Sequence, residues 1–410
     1  MPDQDQQNSK PLNIVCLATY FKGADFIREC KSRGNQVVLI TKEKMLGEDW
    51  PRESLDDLIA LPNDADLDMF IHLLSLLGRQ TKLDRVIALE EFDVITAAQL
   101  REHFCLGGMP AATARLFRDK GVMAAKAQAA GLNVPEFVPL LNYNDLRDFV
   151  ERVPPPWIVK PRSDVSAIGV KKINEVAEVW QAFDTLDRRE RLRERAAHHL
   201  LAQFIKGDVF HVDSIVSNGR VIFSGANQYG RPPMEVAHGG GAYISHTVAR
   251  GSDHEQTLIR TNRKLIRVLG LKHGAAHAEF IKSATDGKFY FLEIAARVGG
   301  AYIAEVLEAA SGINLWREWA NLELAEGPVR RITPQRKEYA GIVLSLARQE
   351  FPDTSAYDDP EVVYRVKKKH HVGLIARSPK LERVLELLND YASRFATDFA
   401  ATLPPLERAE

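Results

Sequence analysis

Residues 273–300, HGAAHAEFIKSATDGKFYFLEIAARVGG, constrain the chain more than any other stretch. Two apolar runs, 275–281 and 289–294, flank Thr285-Asp286-Gly287, a pattern that predicts neighbouring strands joined by a short turn. Each run carries one acid near its end, Glu279 in the first and Glu293 in the second. A carboxylate in an apolar strand is costly to bury unless something positive meets it. A cation shared by both acids removes that cost. Paired carboxylates favour Mg²⁺ held together with substrate phosphates, with Mn²⁺ as its substitute. Arg297 follows Glu293 by four residues, and Gly299-Gly300 lets the backbone turn tightly or approach a ligand. These residues at the mouth of a sheet read as a metal and phosphate site. The plainer alternative is a hairpin whose acids pair internally with Arg297.

The chain opens as an α/β unit. After a leader at 1–11 read as disordered, residues 13–19 form a buried-strand pattern, 24–32 a helix and 36–41 a second strand, a βαβ opening. Tyr20-Phe21-Lys22-Gly23 stands where a GxGxxG loop would be, which excludes a dinucleotide site there. A helix at 66–77, a strand at 85–89 and a helix at 94–102 complete a small doubly wound domain. Glu90 and Glu91 follow its last strand, where open α/β sheets bind ligands; a solvated loop pair is the alternative.

Gly107-Gly108-Met109-Pro110 punctuates the chain, and helices at 111–117 and 123–130 follow. A strand-like stretch lies near 134–140, and Pro154-Pro155-Pro156 precedes a short strand at 157–160 that ends in Lys160. A strand lysine followed by a polar loop, 161–170, suits phosphates: the amine is a point charge, and Ser163, Ser166 and backbone N–H groups are donors. GxxxxGK[ST] is absent. Residues 175–197 read as a charged helix whose RRERLRER run is a solvated face. Strands at 201–205, 209–216 and 221–223 surround Asn218-Gly219, a hairpin signal. Residues 225–241, with Tyr229, Arg231, Glu235 and His238, read as one long loop, a substrate lid. A helix at 257–269 leads into the strand of Glu279, and one at 303–310 follows Gly300; Trp316 and Trp319 read as core. Strands at 339–346, 362–367 and 373–376 and a helix at 380–395 close the chain, with a fraying tail after 402.

Composition removes whole classes of function. Lysine and arginine number 54 against 55 acids, so no global field draws nucleic acid or an anionic membrane. Cys16, Cys30 and Cys105 lack CxxC spacing, which argues against a disulfide scaffold or cysteine-ligated zinc and fits a reducing cytoplasm. His211, His238, His246, His273 and His277 lack HExxH order, so no zinc site is expected. No run approaches 18 apolar residues, so neither a signal peptide nor a membrane span is expected.

Asp119-Lys120, Ile158-Val159-Lys160-Pro161, the small-residue loop closing on Gly169-Val170, Gln203-Phe204-Ile205-Lys206-Gly207, Glu279, and Glu293 through Gly300 form an ordered set. In order and spacing the set resembles the ATP-grasp ligase superfamily, over residues 12–330. The resemblance implies an α/β ATP-grasp fold: an N-terminal Rossmann-like pre-ATP-grasp domain at 1–106, a nucleotide-binding and catalytic region at 107–330 with a mobile lobe at 125–200, and a C-terminal α+β region at 331–410. It implies ATP between two lobes, with Lys120, Lys160, Ser163, Ser166, Gly169 and Arg297 at the phosphates. Backbone of Gln203, Phe204 and Ile205 would hold the adenine edge, Asp208 the ribose, and Glu279 and Glu293 the magnesium.

Two positions depart from the family pattern. Ala295 stands where an asparagine usually supplies a further metal ligand, and Val209 where a glutamate usually meets ribose. Both lysines, both acids and Arg297 remain, so the resemblance implies a working carboxylate–amine ligase in which Arg297, Lys160 and Glu293 carry catalysis. Such enzymes turn a carboxylate into an acyl phosphate with ATP and pass the acyl group to an amine. The layout looks like that of L-amino-acid ligases, and next like that of glycinamide-ribonucleotide synthetase and its purine-pathway relatives. Arg231, Glu235, His238, Gly299 and Gly300 would face small-molecule carboxylate and amine substrates, unless Arg231 and Glu235 make only surface contacts. The family implies a homodimer. A non-catalytic ATP-binding protein is the alternative that Ala295 and Val209 support.

Overall fold

The computed structural model describes residues 10–165 and 168–401, except the side chains of 237–239. Ser166, the His238 side chain, most of the leader and the tail lie outside the described residues. Among the described residues three sheets form. The first contains β1 (Asn13–Leu17), β2 (Gln36–Lys42), β3 (Asp57–Leu61) and β4 (Arg85–Ala88), all parallel, in the order β3-β2-β1-β4. It packs with α1 (Ala24–Ser32), α2 (Leu67–Gln80) and α3 (Val94–His103). Because β1 lies between β2 and β4, the strand order reverses beside it, and the loops after β1 and β4 run side by side. Leu89 N donates to Leu17 O at 2.8 Å, and Thr19 N to the Asp93 carboxylate at 2.8 Å. That reversal is where open α/β sheets take ligands. The half-buried edge strand β3 was not anticipated from sequence.

Next come α4 (Ala111–Arg115), α5 (Lys120–Ala129), β5 (Phe137–Pro139), α6 (Tyr143–Arg152), β6 (Trp157–Pro161), β7 (Lys171–Ile173), α7 (Val176–Asp187) and β8 (His199–Gln203). The strands make an antiparallel sheet ordered β5-β8-β6-β7, with a core that includes Leu146, Phe149, Trp157, Val179 and Phe183. The expected helix at 175–197 ends early, at Asp187, and tight turns at Leu192–Glu194 and Ala196–His198 follow. RRERLRER offers a continued helix no apolar stripe to bury, and its single apolar residue, Leu192, is 68% exposed.

The third sheet holds β9 (Gly207–Ser217), β10 (Arg220–Tyr229), β11 (Tyr243–Thr247), β12 (Gly274–Ser283), β13 (Phe289–Ala295), β14 (Tyr339–Leu346), β15 (Val362–Arg365) and β16 (His371–Ser378). Its order is β13-β12-β9-β10-β11-β14-β16-β15, so the last strands of the chain extend the central sheet. The stretch 225–241 is not one long loop. β10 runs to Tyr229, pairs its last residues with β11, and leaves only a short turn before α8 (Pro233–Gly239). Ala226, Asn227 and Tyr229 are buried, which explains why the backbone stays in the ladder there. The helices α9 (Asp253–Leu269), α10 (Ile303–Ser311), α11 (Leu315–Leu324) and α12 (Leu381–Asp398) complete the fold. Trp316 and Trp319 are core, as expected, and Trp319 packs edge-on against Phe26 of α1 at 5.2 Å. The first sheet and the central sheet therefore share one apolar cluster.

Candidate active site

The register of β12 and β13 sets Glu279 directly across from Glu293, with a bulge immediately after Glu279. Residues opposite one another in an antiparallel pair share a face, and two like charges so placed repel unless a cation stands between or beside them. Glu293 meets Lys120, whose Nζ is 2.8 Å from its Oε2. Glu279 accepts from the Tyr229 hydroxyl at 2.7 Å and lies 3.3 Å from His277 Nε2.

Behind Glu279 is a buried network that sequence reasoning missed. β12 pairs with β9 so that His277 faces Asp213 and Glu279 faces His211. The Asp213 carboxylate bridges two imidazoles, at 2.6 Å to His211 Nδ1 and 2.9 Å to His277 Nδ1, and His211 Nε2 is 2.8 Å from Ser245 Oγ. Burial alone would lower the His277 pKa, but the Asp213 charge and hydrogen bond outweigh it and raise it to about 9. Its imidazolium thus donates to Asp213 on one side and Glu279 on the other. Burial works against the Glu279 charge as well, yet the His277 hydrogen bond keeps that carboxyl below its ordinary value. Potential ligand atoms of His211, Asp213 and His277 lie within 4.8 Å of one another. Each imidazole nitrogen already has a partner, so the cluster acts as a support under Glu279. The available signal was the alternation His211, Asp213 in an otherwise apolar strand, with His277 two residues before Glu279.

The two lysines arrive from different elements, Lys120 from the start of α5 and Lys160 from β6 of the second sheet. Asp119 caps α5, accepting from the Gly121 and Val122 amides at 3.0 and 3.2 Å, and Arg162 grips the same carboxylate at 3.0 and 2.8 Å. Lys120 N donates to Arg162 O at 2.7 Å and its Nζ to Asp164 O at 2.5 Å, which ties the helix start to the segment after β6. Lys160 is the penultimate residue of β6; burial pushes its amine down to about 8 despite the Glu293 charge. Both lysines, both glutamates and residues 203–208 line one cavity of about 1040 Å³, room enough for a nucleotide and a substrate. Phe204 in that wall has the Lys172 ammonium 4.4 Å above its ring. Asp208 and Val209 both line the cavity, Val209 as a buried apolar side chain that offers no polar atom.

Other expected positions fall differently. The Ser163 carbonyl accepts from Arg118 Nη2 at 2.6 Å, and Gly169 turns the chain at φ 69°; the cavity wall there is Ile168 and Val170. Arg297 engages Glu91, at 2.7 Å from Nη2 and 3.1 Å from Nε, and Glu91 reaches Arg118 at 2.6 Å. Burial would raise the Glu91 carboxyl, but the two guanidiniums hold it down at about 2. Glu90 meets Lys22 at 2.7 Å. The pair Glu90-Glu91 is thus buried and ion-paired, not a solvated loop. Arg231 and Glu235 are exposed, 4.0 Å apart; Glu235 lines the cavity and Arg231 does not. Gly300 lines it too, while a Cβ on Gly299 would come within 2.8 Å of Asp213 and 3.0 Å of His277. Gly299 therefore packs against the imidazole network, and Gly300, not Gly299, lines the cavity.

The donor set fits magnesium. Two hard carboxylates stand face to face at the cavity wall, and Ala295, across from His277, adds no third oxygen, which leaves positions for phosphate and water.

Residues 153–305 match the family model of the ATP-grasp domain. The chain is 21% identical over 280 residues to the L-arginine-specific L-amino acid ligase of Bacillus subtilis, spanning 68% of this chain and 67% of that protein. Its fold matches a crystal structure of an L-amino acid ligase from Bacillus licheniformis with TM-score 0.73 and 18% identity, over 96% of this chain and 99% of that one. It also matches a phosphoribosylglycinamide synthetase from Anaerococcus prevotii, with TM-score 0.65 and 14% identity over 96% of this chain and all (100%) of the other. The class follows: residues 153–305 form an ATP-grasp domain, and the chain shares the α/β fold of these structures. In both comparisons the chain resembles L-amino-acid ligases. Among the described residues no helix is long and apolar enough to cross a membrane.

Proposed function

We propose that this protein uses ATP to activate the carboxylate of an amino acid as an acyl phosphate and joins it to an amine, releasing ADP and phosphate. The observation that carries the proposal is the placement of Glu279 across from Glu293 on a wall that Lys120 and Lys160 also reach. The likeness to L-amino-acid ligases supports the choice of acid.

In the first step a carboxylate oxygen attacks the γ-phosphorus of ATP, and the bond to the β-bridging oxygen breaks to release ADP. Lys160 and Lys120 supply positive charge where the transferring group gathers negative charge. Glu279 and Glu293 would hold Mg²⁺, which would supply charge to neutralise phosphate oxygens. Tyr229 and His277 fix the Glu279 carboxylate so that its orientation does not depend on the ligand. In the second step the amine attacks the acyl carbon, and the tetrahedral intermediate expels phosphate as the nitrogen loses a proton. Pro232, Met234 and Val236 line the cavity beside Glu235 and exclude water from the acyl phosphate.

The test is ADP and phosphate release with Mg²⁺ and ATP across pairs of amino acids, followed by mass spectrometry. The expected product has the mass of both substrates minus one water. Turnover with phosphoribosylamine and none with amino acids would move the assignment to a purine-pathway ligase. ATP binding without release in every mixture would leave a non-catalytic nucleotide-binding protein.

A further inference from the structure

Helix α2 carries two apolar stripes where covering one sheet needs only one. Phe70 and Leu74 are buried, and Leu67, Ile71 and Leu77 pack beside them against the core of the first sheet. On the outer flank Met69 is 43% exposed and Leu76 42%, with His72 exposed and Leu73 half-buried between them. Residues three or four apart lie on one side of a helix, so Met69, Leu73 and Leu76 form a second strip. The sheet order explains why this strip is open. Among the described residues β3 ends the sheet, and Leu61 at its last position lines one groove with Met69, His72, Leu73 and Leu76.

The charges along α2 select what covers the groove. Its start is acidic, with Asp66 as the cap and Asp68 in the first turn, and its last turn is basic, with Arg79. All three are exposed, and among the described residues Asp68 and Arg79 enter no ion pair within the chain. Asp68 and Arg79 are 11 positions apart, close to three full turns, so they share one flank of the helix. A second α2 laid antiparallel, about a two-fold axis near the His72–Leu73 junction, sets Met69 against the partner's Leu76 and His72 against the partner's Leu73. It also sets Asp68 beside the partner's Arg79, twice over. Opposite dipole ends then lie together as well. A parallel arrangement would bring acid to acid. An isologous contact needs one surface complementary to itself, and the outer flank of α2 has that property.

We propose that α2 is the contact by which two copies of this chain pair about a two-fold axis, with Met69, Leu73 and Leu76 as the apolar centre and Asp68 and Arg79 as the charged ends. The proposal stands apart from the ligase reading, because the lining of the large cavity includes no residue of α2. One helix pair is small beside the roughly 1,200–2,000 Å² of a stable interface, so the dimer should be reversible, with a Kd in the range of about 10 µM.

Sedimentation equilibrium on the full chain tests this, with the wild type, Met69→Lys, Asp68→Arg, Arg79→Asp, the double charge variant, and an equal mixture of the two single charge variants. In each single charge variant like charges meet across the axis, and the Kd should rise about tenfold or more. The double variant exchanges the two ends and should return close to the wild-type Kd. The mixture joins a chain with two basic ends to a chain with two acidic ends, so it should associate more tightly than either single variant alone. A folding defect cannot produce that recovery. Met69→Lys brings two charges into the apolar centre and should remain monomeric at about 100 µM. A wild type that is monomeric at about 100 µM overturns the proposal, even if an unrelated protein occupies the groove. A wild-type dimer whose Kd is unchanged by Met69→Lys and by both single charge variants forms elsewhere and overturns it too. A mixture that associates no better than its components overturns the antiparallel contact.

Discussion

Lys120 Nζ lies 2.8 Å from Glu293 Oε2, and Glu293 stands across the strand pair from Glu279. One lysine from α5 thus balances a charge that β13 alone would leave facing its like. Glu293→Gln keeps the size and removes the charge. Substrate-dependent ADP release is expected to fall by about 100-fold or more, as for loss of a group acting on transition-state charge. A rate near wild type would remove Glu293 from the mechanism.

The network behind Glu279 predicts a different signature. Asp213→Asn takes away the charge that His211 and His277 share. The Mg²⁺ concentration for half-maximal activity should rise about 10–100-fold, while the maximal rate at saturating metal changes less. Removing one partner from buried charges should also cost about 3 kcal/mol or more in urea unfolding. An unchanged metal requirement alongside that stability loss would make the network structural only.

Lys160 gives a pH test. Burial holds its folded-state pKa at about 8, and phosphates bind its charged form. ATP affinity attributable to this lysine is therefore full below that pH and declines above it, where binding must take up a proton. Calorimetry should show proton uptake on binding above pH 8 in the wild type. Lys160→Arg, which stays charged, should show a flat profile. Identical profiles would contradict the assignment.

Gly207 predicts a steric effect at the start of β9. A Cβ there would lie 1.9 Å from the Lys282 carbonyl oxygen, a backbone atom in the adjoining strand. Gly207→Ala should destabilise the protein by about 3 kcal/mol or more and raise the KM for ATP, since residues 203–208 line the cavity. A variant with wild-type unfolding midpoint and KM would show that the strands separate there at no cost.

What was legible in the sequence followed from local patterning. The hairpin of β12 and β13 is visible because two apolar runs flank a turn, and the order of its acids, lysines and glycines carried the superfamily. The face-to-face register of Glu279 and Glu293 was not visible, since the bulge after Glu279 decides it. The pairing of His211 with Asp213 escaped notice because β9 is buried on both faces, where a period of two no longer separates inside from outside. Gly225 was misread as a loop residue. A Cβ there would lie 2.3 Å from Leu307, so it is a packing glycine within β10. Arg297 could be assigned to phosphate from its spacing, but its Glu91 partner sits 206 positions earlier and only the tertiary fold joins them.

The loops after β1 and β4 reach the cavity from a sheet that supplies neither phosphate lysine nor metal acid. Inheritance can therefore act on the two halves separately. Substitutions at residues 18–22 can alter that end of the cavity while Glu91, which grips Arg297, stays in place, so a lineage carrying this fold can change its diet without rebuilding its engine.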